Sequence, residues 1–314
     1  MKCVGDVKGE CVYAYPGVVG HEFGGEIYEI GSEVKKNRFH VGQRVVTEVV
    51  YNCKECYYCK NGFENVCPDS LNSITYKNPD GISGFCGFGQ FVVAKAEDLY
   101  IADDNVPFEK LAVVEPVACV INSINNANVE FGDVVLVIGG GTMGMLHVML
   151  AHMKGANVIL SEPVEERRKK ALELGANAVI DPTKVDVAEE VKRLTDGLGA
   201  KIVFNTTAIP AIALQALDCT AKCGTMVMFS SLHPNKPVEI NLGAIHSTQK
   251  NITGAQNGTV KTFWQAVKML NRGVFDPTPI IEDVYDYHDF DQAMACAMRP
   301  DTYKVVLKME DTEK

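Results

Sequence analysis

The chain has 314 residues, 46% hydrophobic and 22% charged, so it can bury a substantial core and two domains is the natural expectation. Its formal net charge of −10 excludes a general nucleic-acid binder, which carries excess basic charge, and gives no support to an anionic-membrane contact. No basic segment followed by an apolar run opens the chain, and the expectation is a cytoplasmic protein without a signal peptide.

The first informative stretch is "GVVGHEFGGEIYEIG", residues 17–31, where His21 and Glu22 sit in a run of glycines ahead of a valine- and isoleucine-rich strand pattern. In isolation such a pair reads as a buried hydrogen-bonded couple. Adjacent side chains on a regular strand point to opposite faces, so His21 and Glu22 can share an ion only if the strand begins after them. Gly20 makes that feasible.

Next comes "CKECYYCKNGFENVC", with Cys53, Cys56, Cys59 and Cys67. Short CxxC loops let sulfurs converge on a tetrahedral Zn2+ at about 2.3 Å without strain, and four thiolates leave no open position for chemistry. Lys54 and Lys60 are placed to offset part of the negative charge. An iron–sulfur cluster also takes four cysteines, but with a different spacing, and a reducing compartment disfavours two disulfides. Structural zinc is the favoured reading. Cys119, Cys219, Cys223 and Cys296 are scattered among apolar or small neighbours and read as small buried hydrophobes.

From Gly132 the texture changes. Val134 to Ile138 is an uninterrupted apolar strand of the kind buried in parallel sheets. Gly139, Gly141 and Gly144 then form GxGxxG, with Thr142 and Met143 at the start of an apolar helix that stops at Gly155. Such glycines allow the tight turn, the approach of a pyrophosphate and helix–sheet packing, and the helix start faces the phosphates. A second strand, Asn157 to Leu160, leads to Glu162, where a carboxylate can accept from both ribose hydroxyls and repel a 2′-phosphate. NAD is thus favoured over NADP, and Arg167 in the following helix completes the candidate cofactor set.

The alternation continues with strands ending at Ile180, at Lys201 to Asn205, in "GTMVMFS" and at Ile252, and with helices at Asp186 to Leu194 and Ile209 to Ala221. Six strands with helices between them describe a doubly wound parallel sheet. The residues before Gly132 and the tail "YKVVLKM", Tyr303 to Met309, are β-like, so a β domain built from both ends with a nucleotide domain inserted is expected. The boundaries read as 1–118, 119–275 and 276–314.

A four-cysteine lobe, the GHE upstream and the GxGxxG unit downstream together resemble the zinc-dependent medium-chain dehydrogenase/reductase family, closest to its sorbitol/polyol and threonine dehydrogenase branches. The likeness extends through "VGQRVV" at Val41 to Val46 and "GFGQFVV" at Gly87 to Val93. It implies an α/β protein: a GroES-like β-rich catalytic domain plus a Rossmann domain, with catalytic zinc in the cleft between them. Carried onto matching positions, the catalytic ligand set is Cys3 of "CVGD", His21, Glu22 and Glu115 of "EPVA". Which glutamate binds directly stays open.

The implied reaction is the oxidation of a secondary alcohol, a polyol or sugar alcohol, to a ketone, with hydride passing to NAD. L-Threonine 3-dehydrogenase is an alternative, and a non-catalytic NAD-binding protein is another. The family also implies a homodimer or homotetramer. This sequence departs from its pattern in three places. Gly5 stands where a proton-relaying hydroxyl is usual, Lys8 stands where a histidine is common, and the strands that normally precede the first cysteine do not precede Cys3. If the chain starts at Met1, a weakened catalytic zinc is expected.

Overall fold

Five consecutive apolar residues, VVLVI at Val134–Ile138, have no side to turn toward water, and the computed structural model makes them the strand β4 at the centre of a sheet covered on both faces. Residues 19–35, 37–48, 52–71, 84, 87–232 and 234–309 are described. They fall into two compact units: Val120–Gln256, and the residues up to Cys119 together with those from Asn257 onward.

The first unit begins with three short strands, β1 (Gly24–Glu26), β2 (Arg44–Thr47) and β3 (Leu99–Ile101), paired antiparallel in that order. Between β2 and β3 lies the helix α1 (Tyr57–Lys60). After β3 come α2 (Phe108–Leu111) and α3 (Val114–Ala127), whose chain crosses from the first unit into the second after Cys119. Pro116 is tolerated there because it falls in the first turn, where its missing N–H has no intrahelical use.

In the second unit β4 is followed by α4 (Thr142–Met153), β5 (Asn157–Ser161), α5 (Glu165–Glu173), β6 (Ala178–Ile180) and α6 (Val187–Leu194). The chain continues through β7 (Ala200–Asn205), α7 (Pro210–Cys219), β8 (Thr220–Met228), α8 (Leu242–Thr248) and β9 (Asn251–Gly254). The six strands pair parallel in the order β6-β5-β4-β7-β8-β9, the doubly wound sheet expected from the sequence. Leu136, Ile138, Val203 and Met226 on one face pack against Val187 and Val191 of α6 and Ala216 and Cys219 of α7. The order reverses between β4 and β7, so the loops leaving their carboxyl ends are the place for a ligand in this topology.

The chain then returns to the first unit through α9 (Val260–Asn271), β10 (Ile281–Asp286), α10 (Phe290–Ala297) and β11 (Lys304–Lys308), with β10 and β11 paired parallel. Residues 257–275, assigned by sequence to the nucleotide half, pack with the first unit. The reason is visible at the start of α9. The buried Glu64 carboxylate accepts from the Val260 N–H at 2.6 Å, where it meets the positive end of the helix, and Tyr100 stacks on Phe263 with ring centroids 5.8 Å apart. A reciprocal cap between Thr259 and Thr262 completes the terminus.

One expectation about cysteines is corrected. Cys119, Cys219 and Cys296 are buried, but Cys223 is exposed. Ala200 pairs with Thr220 while Ile202 pairs with Thr225, so the intervening residues bulge out of β8 and carry Cys223 at φ 56° away from the core.

Within the second unit His147 is fully buried. Its Nδ1 lies 2.7 Å from the Met143 carbonyl and donates to it, while Nε2, 3.0 Å away, accepts from the Ser123 hydroxyl. Its ring packs on Phe204 and Phe229 at 4.6 and 4.7 Å. Burial pushes the imidazole down from 6.5 to about 4. The folded chain therefore holds His147 neutral where the unfolded chain protonates it, and stability is lost as pH falls from 6.5 toward 4. Across that window the stability of the parent is expected to fall by on the order of 3 kcal/mol more than that of His147→Gln. Denaturant unfolding at several pH values measures it, and parallel declines for the two proteins would contradict it.

Candidate metal centres and cofactor site

The four lobe cysteines converge. Their sulfurs all lie within 4.8 Å of one another, with Cys53 to Cys59 and Cys56 to Cys67 each at 3.9 Å. One tetrahedral ion about 2.3 Å from each sulfur requires sulfurs about 3.8 Å apart. A disulfide requires about 2 Å, and all four thiols are free. The loop folds around its own sulfurs: Cys56 N–H points to Cys53 Sγ at 3.3 Å, Cys59 N–H to Cys56 Sγ at 3.5 Å and Cys53 N–H to Cys67 Sγ at 3.5 Å. Cys56 thereby caps α1. The Cys59 N–H lowers the Cys56 thiol to about 7, while burial pushes Cys59 up to about 12, the split expected of crowded thiols that cannot all ionise without a cation. The Lys54 ammonium pairs with Glu97 at 2.5 Å and with Asp98 at 3.5 Å.

A second set of donors gathers in the same unit. Gly20 adopts φ 95°, and its backbone is tied to the 87–88 segment by Gly87 N–H to Gly20 O at 2.9 Å and Phe88 N–H to Val19 O at 3.0 Å. β1 starts only at Gly24, so His21 and Glu22 lie before the regular strand, as sharing one ion requires. Glu115 sits in the first turn of α3 and is buried. His21, Glu22 and Glu115 each offer a ligand atom, and these atoms lie within 4.8 Å of one another. Cys3, Gly5 and Lys8 are outside the described residues.

Charge in this cluster is unevenly compensated. Glu22 Oε2 is ion-paired with Lys304, the first residue of β11, whose amine burial lowers to about 8. Among the described residues Glu115 has a thiol beside it and no ion pair: Cys119 Sγ is 3.2 Å from its Oε1. Burial raises Glu115 to about 7, and the Cys119 hydrogen bond only partly opposes that. His21 is held below its ordinary value by burial and then by the charge of Lys304. A buried carboxylate and a neutral imidazole within reach of each other form a donor set that a divalent cation fits. Lys304 was not among the sequence candidates. The one available signal was a lysine at the head of the apolar run Val305 to Leu307.

In the second unit, the turn after β4 brings Gly139, Gly141, Thr142, Met143 and Gly144 together at the head of α4. A Cβ on Gly144 would lie 1.8 Å from the Gly139 carbonyl oxygen, so the close return of helix onto strand needs glycine. Gly141 is the N-cap without a side-chain capping bond, and a Cβ there would meet nothing within 4 Å. Open space thus faces the N–H groups that start the helix, which suits an anion such as a pyrophosphate.

Glu162, at the end of β5, is buried, with Oε2 accepting from Gly140 N–H at 2.6 Å and Oε1 from Val164 N–H at 2.9 Å. Each oxygen keeps a lone pair for a further donor. Arg167 lies in α5 and is half-buried. Its neighbour Arg168 donates to the Glu162 and Pro163 carbonyls, both at 2.7 Å, and pairs with Asp181 at 3.1 Å. Thr206, absent from the sequence candidates, follows β7 and donates to the Ile138 carbonyl at 2.8 Å, pinning the glycine turn from the other side of the switch point. No motif announces it.

No helix among the described residues is long and apolar enough to cross a membrane. Residues 3–104 match the alcohol dehydrogenase GroES-like domain, and residues 142–272 match the zinc-binding dehydrogenase domain. The sorbitol dehydrogenase of Halalkalibacterium halodurans is 30% identical over 303 residues, covering 96% of this chain and 85% of that one. An L-threonine 3-dehydrogenase of Caldanaerobacter subterraneus subsp. tengcongensis is 31% identical over 297 residues, 93% of this chain and 82% of that one. Among solved structures, an Escherichia coli alcohol dehydrogenase in complex with NADH superposes with a TM-score of 0.83 at 25% identity, covering 95% of this chain and 86% of that one. With the GroES-like and nucleotide-binding domains matched in order and relatives alike over nearly its whole length, the chain belongs to the zinc-dependent medium-chain dehydrogenase/reductase family of oxidoreductases.

Proposed function

We propose that this protein oxidises a secondary alcohol of the polyol or sugar-alcohol class to a ketone, using a zinc ion held by Cys3, His21 and Glu115 and passing hydride to NAD. The observation that carries this reading is the convergence of His21, Glu22 and Glu115, with Glu115 buried and given no cationic partner among the described residues. When bound, zinc supplies Lewis acidity to the alcohol oxygen and NAD supplies the hydride acceptor.

The chain's own residues do the rest. Glu115 is the direct carboxylate ligand, and Glu22, already neutralised by Lys304, orients the cluster from behind. The ion pair fixes the Glu22 carboxylate and keeps the Lys304 charge from opposing a second cation. The Gly139–Gly144 turn receives the pyrophosphate, while Glu162, anchored by the Gly140 and Val164 N–H groups, presents its remaining lone pairs to a ribose and disfavours a 2′-phosphate. The four-cysteine lobe holds a second zinc that staples its loop and takes no part in turnover.

The 31% identical threonine dehydrogenase supports a second reading, L-threonine as substrate. Following NADH formation across a panel of polyols and L-threonine, with and without chelator, separates the two. The expected outcome is chelator-sensitive turnover of polyols, faster with NAD than with NADP, and a loss of at least about 100-fold in kcat/KM in Glu115→Ala. Preferential turnover of L-threonine would establish the second reading, and NAD binding with no turnover of any panel member would reject both. For the lobe, Cys56→Ser is expected to lose one zinc per chain and to lower the thermal midpoint by ~5 °C or more. Zinc content and midpoint equal to those of the parent would refute the stapling role.

A further inference from the structure

We propose that Cys119 is a positioning residue for the metal-binding carboxylate, holding Glu115 Oε1 by a thiol hydrogen bond so that Oε2 is left to the cation. The proposal rests on the reading of His21 and Glu115 as metal ligands given above. Cys119 follows Glu115 by four residues on α3, which stacks the two side chains on one face of the helix. Cys119 Sγ lies 3.2 Å from Glu115 Oε1, and both residues are buried.

The thiol is itself held. The backbone N–H of Gly258 faces its sulfur from the start of α9. That approach depends on the absence of a side chain at residue 258, since a Cβ there would stand 2.9 Å from Ala118 Cβ and 3.0 Å from the Phe263 ring. The Thr259–Thr262 cap of α9 fixes Gly258 in turn. The start of α9 thus packs closely beside the thiol, and the thiol holds one oxygen of Glu115.

A buried carboxylate with one oxygen tied loses rotational freedom before any ion arrives, and this preorganisation is what partners behind metal ligands contribute. The gathered donor atoms are those of His21, Glu22 and Glu115, without Cys119, so the sulfur stands behind the site and is not a ligand in it. Its chain neighbours Val117, Ala118 and Val120 are apolar and buried, and among the described residues the thiol is the hydrogen-bond donor given to the Glu115 carboxylate.

The test compares the parent chain with Cys119→Ala, Cys119→Val and Cys119→Ser in zinc and cobalt titrations against a competing chelator, with the four-cysteine site as an internal reference. Both variants without a donor are expected to bind metal at the His21–Glu115 site about 10- to 100-fold more weakly, and Cys119→Ser, whose hydroxyl restores a donor, to recover most of that loss. The cobalt ligand-field bands should move in the donorless variants while zinc at the lobe stays bound, and kcat should fall with KM for NAD unchanged. Parent-like affinity in either folded donorless variant would overturn the proposal, as would Cys119→Ser binding as weakly as Cys119→Ala, because packing would then be the whole effect. A parent chain that takes up no metal beyond the lobe overturns the underlying ligand assignment and this inference with it, a result visible before any variant is made.

Discussion

Charge without compensation is the constraint around which this molecule is organised. Glu115 is buried with a thiol as its neighbour, and burial raises its pKa to about 7 against the opposing pull of the Cys119 hydrogen bond. A carboxyl so placed keeps its proton, or shares its charge with a cation brought from outside. The adjacent Glu22 shows the other solution, because Lys304 travels from the far end of the chain to meet it. One acid is thus satisfied by the fold and the other is left to a ligand. The four sulfurs of the lobe repeat the theme in a more local form, gathered at single-ion spacing by N–H···S bonds within fifteen residues.

The second unit answers a different electrostatic need. Parallel strands that are apolar on both faces force the polar work to their carboxyl ends, and there the glycine turn, Glu162 and Thr206 meet. The helix that begins at Thr142 contributes its start, and Gly141 leaves room in front of it. His147 sits inside the same helix as a neutral, aromatic-packed residue, and its two hydrogen bonds tie α4 to itself and to Ser123 of α3. The residues that hold the turn are thus connected to the core beneath it.

What the sequence disclosed and what it withheld divide along the range of the interactions. The strands of the second unit were legible as short apolar runs, β4, β5 and β6 each followed directly by glycine or an acid, and the cysteine lobe was legible because its ligands are neighbours. His21 and Glu22 were legible only through the family likeness, since a lone His-Glu pair has no local signature. Lys304 was hidden because its partner lies 282 positions away by residue number, from Glu22 to Lys304. Cys119 was read as a buried small hydrophobe, which its burial bears out, yet its thiol also serves as a donor to Glu115. The allegiance of residues 257–275 turned on Glu64 and Tyr100, whose contacts with α9 no periodicity encodes.

The most direct measurement is zinc-edge anomalous diffraction from crystals of the full chain grown with zinc and NAD. Two peaks are predicted, one centred among Cys53, Cys56, Cys59 and Cys67, the other bonded to a His21 ring nitrogen and a Glu115 oxygen, with Glu22 still on Lys304. A lobe peak alone, with Glu115 bonded to nothing but Cys119, would contradict a cation-dependent alcohol oxidation at this site.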